Sequence, residues 1–207
     1  LAYPCFVKPM KAAFSVLARR VASRAELQAH TRFGAREQWI IRRLVEPFDR
    51  IARQRLSQAG SAHRLLLEEL RRGAQYNLDG YVHEGQVQVL GVVDAIMYPG
   101  TQAFQRWELP SRLPPQVIDQ AADVAFRFLQ AVDFRQGLFN MEFFYDAAAG
   151  RVTVIEFNPR LASQFGDLYR RVSGVDPHAV ALALATGEDP RRLPRSQAAA
   201  AVAAGLV

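Results

Sequence analysis

The stretch Leu138-Phe-Asn-Met-Glu-Phe-Phe-Tyr-Asp-Ala-Ala-Ala-Gly-Arg-Val-Thr-Val-Ile-Glu-Phe-Asn-Pro-Arg160 decides how this chain is read. Two apolar runs, Leu138 to Asp146 and Arg151 to Phe157, flank Ala148-Ala149-Gly150, which predicts an antiparallel hairpin. A three-residue hairpin loop ends on a residue in the left-handed region, and Gly150 supplies it. That loop pairs Ala147 with Arg151. Counting back along both strands, Glu142 faces Glu156 and Asn140 faces Asn158. Residues directly opposite share one face of a sheet. A four-residue loop would instead send the two Glu to opposite faces.

Like charges ~4 Å apart cost about 4 kcal/mol at an intermediate dielectric. A shared proton offsets this, and a divalent cation offsets it better. Glu142, Glu156 and Asn158 offer only oxygen, a set that suits Mg²⁺ or Mn²⁺ rather than zinc. Arg160 continues the period-2 face and is suited to hold a phosphate or carboxylate bidentately. The plainer alternative is a register slipped by one residue, with one Glu in solvent.

Upstream, Tyr3–Val7 reads as a strand ending at Lys8-Pro9, and Val16–Val21 as a second. Ser23 and Glu26 form a capping box for a helix that should stop at Gly34. Arg36–Val45 and Phe48–Gln58 read as two helices split by Pro47. Residues 58–62 read as a loop. Arg64–Leu70, Tyr76–Val82 and Val87–Tyr98 read as strands. Pro114-Pro115 opens a helix, and Asp176-Pro177 caps a last one that Gly187 ends. The Ala-rich residues 198–207 fit either a helix or a frayed end. The pattern is α+β, rich in antiparallel strands, in two lobes of 1–70 and 71–207.

Composition narrows the function classes. Of 207 residues, 50% are apolar, which excludes a disordered chain. No apolar run approaches the ~18 residues of a membrane span. The lone Cys5 excludes a disulfide scaffold and fits a reducing cytoplasm; it reads as core. The first residue is not Met and the pattern opens midway, so the chain reads as a fragment. His30, His63, His83 and His178 show no metal spacing. Asp79 and Asp94 read as surface charges.

The net charge of +6 invites a nucleic-acid reading, but its distribution argues against one. Most of the excess lies in Arg32, Arg36, Arg42, Arg43, Arg50, Arg53, Arg55 and Arg64, a mainly helical stretch that reads as a solvated face. Aromatic interleaving is missing. The 26 basic residues include only two lysines, Lys8 and Lys11, within four positions of each other.

Taken together, three segments resemble the ATP-grasp superfamily, in its order. Tyr3-Pro-Cys-Phe-Val-Lys8-Pro9 resembles the strand carrying the second nucleotide-binding lysine. Leu65-Leu-Leu-Glu-Glu-Leu70 with Gly73-Ala-Gln-Tyr-Asn-Leu-Asp79 resembles the strand that cups adenine and ribose. Met141-Glu142 with Glu156-Phe-Asn158-Pro-Arg160 resembles the metal-binding signature. The resemblance implies two α+β lobes with antiparallel sheets clasping the nucleotide. It implies that Lys8 meets the ATP phosphates or the adenine edge. Glu68, Glu69 and Leu70 would receive adenine, and Gln75 would stand where the family has an acidic ribose ligand. Glu142, Glu156 and Asn158 would hold Mg²⁺ or Mn²⁺, and Arg160 would stabilise the transferring phosphoryl.

The implied chemistry is ATP-dependent activation of a carboxylate as an acyl-phosphate, attacked by an amine or similar nucleophile. ATP and small carboxylate and amine substrates are then the expected partners, with no nucleic acid or membrane; a homo-oligomer stays open. One departure stands out. The loop after Lys8, normally glycine-rich, is Met10-Lys-Ala-Ala-Phe-Ser15, with Ser15 at the hydroxyl position and Lys11 adding charge. That departure favours the competing reading, a nucleotide-binding module without turnover.

Overall fold

The computed structural model describes residues 2–10, 17–55, 64–101, 103–196 and 204–206. Lys11, Ser15 and His63, the proposed loop 58–62 and the start of the second strand at Val16 lie outside the described residues. The chain divides into two units, Leu1–Arg71 and Arg72–Val207.

The first unit holds a three-stranded antiparallel sheet in the order β2-β1-β3: β1 is Cys5–Pro9, β2 Arg19–Val21 and β3 Leu65–Glu69. Cys5, Val7 and Val21 are buried, with Leu27 and Leu65 packed against them. Cys5 is therefore core, as its apolar strand implies.

Two helices connect β2 to β3 in sequence, and both differ from expectation. Helix α1 spans Arg24–His30. Ser23 Oγ accepts from the Glu26 amide, while the Glu26 carboxylate takes the amide of Ala22 instead of that of Ser23. The helix ends at Thr31 rather than Gly34, because Thr31 Oγ1 donates to the carbonyls of Leu27 and Gln28 and closes the last turn. Helix α2, Ala35–Arg55, is continuous through Pro47, where the sequence predicts two helices. An internal proline costs about 3 kcal/mol. The helix nonetheless continues, and the ion pairs Glu46–Arg50 and Asp49–Arg53 link successive turns across and beyond the proline.

The second unit is built on a six-stranded antiparallel sheet in the order β8-β7-β4-β5-β6-β9. The strands are β4 Ala74–His83, β5 Gln86–Met97, β6 Phe104–Leu109, β7 Gly137–Asp146, β8 Arg151–Asn158 and β9 Ala204–Leu206. Helix α3, Pro115–Ala131, covers one face: Val117, Ala121, Ala125 and Leu129 pack on Leu78, Val82, Phe139, Met141 and Phe143. On the other side a turn at Ser163–Phe165 leads into α4, Gly166–Ser173, whose Leu168 and Tyr169 pack with Val93 and Leu109. Helix α5, Pro177–Thr186, sets Val180 and Leu184 against Tyr81.

Strand β6 and helix α4 have no counterpart in the sequence reading. Helix α4 is only two turns long, too short for a clear helical period. Its first residue, Gly166, lies against the His178 ring, which a Cβ there would meet. The Ala-rich tail contributes β9, which pairs with Trp107, Glu108 and Leu109.

The hairpin β7–β8 departs from expectation in an instructive way. Asp146, not Ala147, pairs with Arg151, so the loop has four residues, Ala147–Gly150. Asp146 Oδ1 takes the amides of Ala148 and Ala149, at 3.0 and 3.1 Å, and so closes the turn one position early. Gly150 is left-handed, at φ 59°. A four-residue loop alone would separate the two Glu. A β-bulge restores them: Phe143 pairs with Val154, Ile155 is the extra residue, and Glu142 pairs with Glu156.

Candidate active site

Period-2 alternation sorts β4 and β7 into an apolar and a polar face. Leu78, Phe139, Met141 and Phe143 turn toward α3. The residues between them form two rows across three strands. Asn77, Glu142 and Glu156 make one row; Asp79, Asn140 and Asn158 make the next. Both rows lie wholly within the second unit.

Glu142 is the electrostatic centre. Its carboxyl is pushed up to about 7, first by burial and then by the Glu156 charge and a hydrogen bond with the Glu156 carboxyl. Arg160 and the amide of Gln75 pull the other way. Gln75 is buried and its Nε2 donates to Glu142 Oε2 at 3.0 Å. Asn158 Nδ2 donates to Glu156 Oε1 at 2.8 Å.

Strand β8 ends at Asn158, so Arg160 lies in the bend beyond it rather than on the strand face. Its side chain is exposed and donates to the Leu161 carbonyl at 3.3 Å. It still lowers the proton affinity of both Glu142 and Asp79.

Asp79 and Asp94 are not surface charges: they are 5% and 4% exposed. Asp79 accepts from Asn140 Nδ2 at 3.0 Å and from the Tyr169 hydroxyl at 2.9 Å. Burial drives its carboxyl up to about 7, against those two hydrogen bonds and Arg160. Burial and the Asp79 charge hold the Tyr169 phenol well above its ordinary range, so it stays protonated. Asp94 Oδ2 takes the amide of Arg112 at 3.1 Å. A signal for Asn77 and Asp79 exists in the sequence: Gln75, Asn77 and Asp79 alternate with Tyr76 and Leu78. Tyr169 offers none, because its helix is too short to register.

In the first unit, Lys8 Nζ lies 2.8 Å from Glu68, with the Lys8 side chain 23% exposed. The pair is diagonal across the β1–β3 ladder, where Phe6 faces Glu68 and Lys8 faces Leu66. Glu69 is paired with Arg71 at 3.1 Å. Leu70 follows β3 and is half-buried. Among the described residues no three His, Cys, Asp or Glu side chains cluster as metal ligands.

The fold is α+β with antiparallel sheets, and the carboxylate pair lies on the polar face of the larger sheet. A model of the ATP-grasp domain matches residues 1–167, and the chain belongs to that family. A D-alanine–D-alanine ligase from Synechococcus sp. is 27% identical over 166 residues, covering 79% of this chain and 43% of that protein. The chain thus spans less than half the length of that curated relative. An L-amino acid ligase from Bacillus licheniformis superposes with a TM-score of 0.65 at 16% identity, over 94% of this chain and 43% of that one. The biotin carboxylase domain of Hydrogenobacter thermophilus 2-oxoglutarate carboxylase, solved with MgADP and bicarbonate, gives 0.65 at 21%, over 95% and 38%. Among the described residues no helix is long and apolar enough to cross a membrane.

Proposed function

We propose that this chain carries the ATP- and metal-handling part of a ligase that activates a carboxylate as an acyl-phosphate for attack by an amine or similar nucleophile. The observation that carries the reading is the direct opposition of Glu142 and Glu156, with Glu142 driven up to about 7. Opposed carboxylates, here Glu142 half-buried and Glu156 exposed, are unfavourable unless a cation or a proton sits between them.

The donor set fits Mg²⁺ or Mn²⁺: Glu142, Glu156 and Asn158 supply hard oxygen and no sulfur or imidazole. When bound, such a cation neutralises charge that builds up on a phosphoryl group during transfer. The side chains do the rest. Gln75 and Asn158 orient the two carboxylates through their hydrogen bonds. Arg160 is long, exposed and close enough to lower the carboxyls of Glu142 and Asp79, and it is suited to hold a phosphate or an acyl-phosphate. Lys8 supplies a compact ammonium on an apolar strand; Glu68 orients it until a polyphosphate replaces that partner.

Transfer breaks the bond between the γ-phosphorus and the bridging oxygen, with the electron pair leaving on ADP. The substrate carboxylate forms the new P–O bond. The nucleophile then attacks the acyl carbon, phosphate leaves, and the amine loses its proton. This scheme needs positioning and charge neutralisation more than a protein nucleophile.

A second reading, a nucleotide-binding module without turnover, is favoured by the loop Met10–Ser15, which contains no glycine. Backbone N–H groups approach phosphates most closely where Cβ atoms are absent. Production of ADP in the presence of Mg²⁺, ATP and a panel of amino-acid carboxylates and amines separates the two readings. ADP formed by the parent and lost in Glu156→Gln supports the ligase; Mg-ATP binding without any ADP supports the module.

A further inference from the structure

Asn158 has two amide protons, and both find acceptors: Nδ2 donates to Glu156 Oε1 at 2.8 Å in an exposed bond and to Asn140 Oδ1 at 3.4 Å in a half-buried one. Asn140 Oδ1 can accept there only because the Asn140 amide nitrogen faces the other way, toward Asp79 Oδ1 at 3.0 Å and Asn77 Oδ1 at 3.4 Å. Asp79 fixes that direction. The oxygen it offers Asn140 carries no hydrogen when the carboxyl is ionised. It carries none when the proton sits on Oδ2 either. In that case the Tyr169 hydroxyl accepts from Asp79 and can turn its own hydrogen to the Gly91 carbonyl, 3.3 Å away. The direction of the chain is therefore the same for the ionised carboxyl and for the carboxyl protonated at Oδ2. Asn140 is 2% exposed, so water does not compete for its amide.

A side-chain amide has one end that ligates a cation and one end that repels it. Resting on the metal reading above, we infer that Asn140, anchored by Asp79, is a positioning residue that holds the Asn158 amide nitrogen inward and so leaves the Asn158 carbonyl oxygen as the outward atom available to a divalent cation. The residue behind a ligand commonly changes metal affinity by about 10–100-fold when removed. Here the effect is orientational: without Asn140 the Asn158 amide keeps only its exposed bond to Glu156 Oε1, and a cation at Glu156 competes for that oxygen, so the amide can turn over and present NH₂.

Two measurements test this. In the unmodified protein without added metal, side-chain ¹H–¹⁵N spectra should show the Asn158 NH₂ proton that faces Asn140 protected from solvent exchange. Rapid exchange of that proton overturns the proposal, whatever any variant does. Mn²⁺ titration followed by electron paramagnetic resonance then compares the parent with Asn140→Leu and Glu156→Gln. Asn140→Leu should bind Mn²⁺ about tenfold more weakly, with that Asn158 proton deprotected. A folded Asn140→Leu that keeps parental Mn²⁺ affinity while Glu156→Gln loses it overturns the positioning role and leaves the metal site standing. Parental affinity in Glu156→Gln removes the metal reading itself, and the positioning role with it. Should Asn140→Leu not fold, the exchange measurement on the parent decides.

Discussion

Glu142 stands directly across from Glu156 because a single unpaired residue, Ile155, interrupts the ladder between them and the hairpin turn. The turn on its own sets the opposite outcome, since its four residues shift the pairing by one. The bulge shifts it back. Bulges cost ladder hydrogen bonds and persist where they aim a side chain, and here the residues re-aimed are Glu156 and Asn158.

The opposed pair makes Glu156→Gln diagnostic in two directions. Without divalent metal the variant loses a like-charge contact, so it should melt at or slightly above the parent. With Mg²⁺ the order should reverse, because the parent gains a ligand that the variant binds poorly. In turnover, ADP formation should fall by at least about a hundredfold. Melting curves with and without Mg²⁺, alongside an ADP assay, check both.

Lys8 and Glu68 form a half-exposed ion pair, and such pairs contribute about 0–1 kcal/mol to stability. Lys8→Ala should therefore leave the melting temperature within a few degrees of the parent. Its dependence on ATP should change far more, with a KM for ATP raised at least about tenfold as a charge-assisted contact is lost. Parental KM in a folded Lys8→Ala would remove the lysine from the nucleotide site.

Asp79 predicts a pH dependence. Its carboxyl rises from 3.8 to about 7 on folding, chiefly through burial. A raised carboxyl holds a proton that the unfolded chain gives up, so its contribution to stability is complete below about pH 4 and is lost as pH rises through 7. Tyr169, Asn140, Arg160 and Glu142 are the groups acting on it. A rise of that size corresponds to on the order of 4 kcal/mol. Asp79→Asn removes this titration and leaves that of Glu142. Urea unfolding from pH 4 to 8 should show the parent losing stability more steeply than the variant; parallel curves would contradict the assignment.

Gly73 sits at the entry to β4 with φ 113°, and a Cβ there would drive into the Tyr145 carbonyl of β7. Gly73→Ala should cost roughly 1–3 kcal/mol or more from the backbone alone. It should also disturb the β4–β7 pairing that joins Gln75 to Glu142. A drop in melting temperature together with weaker Mn²⁺ binding is the expected result.

How far the sequence reaches can be seen from single residues. Long, strongly patterned elements such as α3, β4, β5 and β7 are legible because burial on one face imposes a period. The opposition of Glu142 and Glu156 follows, in the sequence, from a three-residue loop that the chain does not form. Asp146 closes a longer turn with its own side chain, and the bulge at Ile155 compensates. Neither device leaves a periodic trace. Pro47 reads as a break and is not one: the helix runs unbroken from Ala35 to Arg55. Asp79 reads as a surface charge because its partners, Asn140 and Tyr169, are 61 and 90 residues away in sequence. Such partners emerge only when the strands align.

The most direct test of the central claim, that the opposed glutamates serve an ATP-bound cation, is the melting temperature of the protein with Mg-ATP. The parent should be stabilised by Mg-ATP, less by ATP in chelator, and Glu156→Gln by neither beyond the chelator value. No change in the parent with Mg-ATP, with a strong rise on adding RNA, would contradict it.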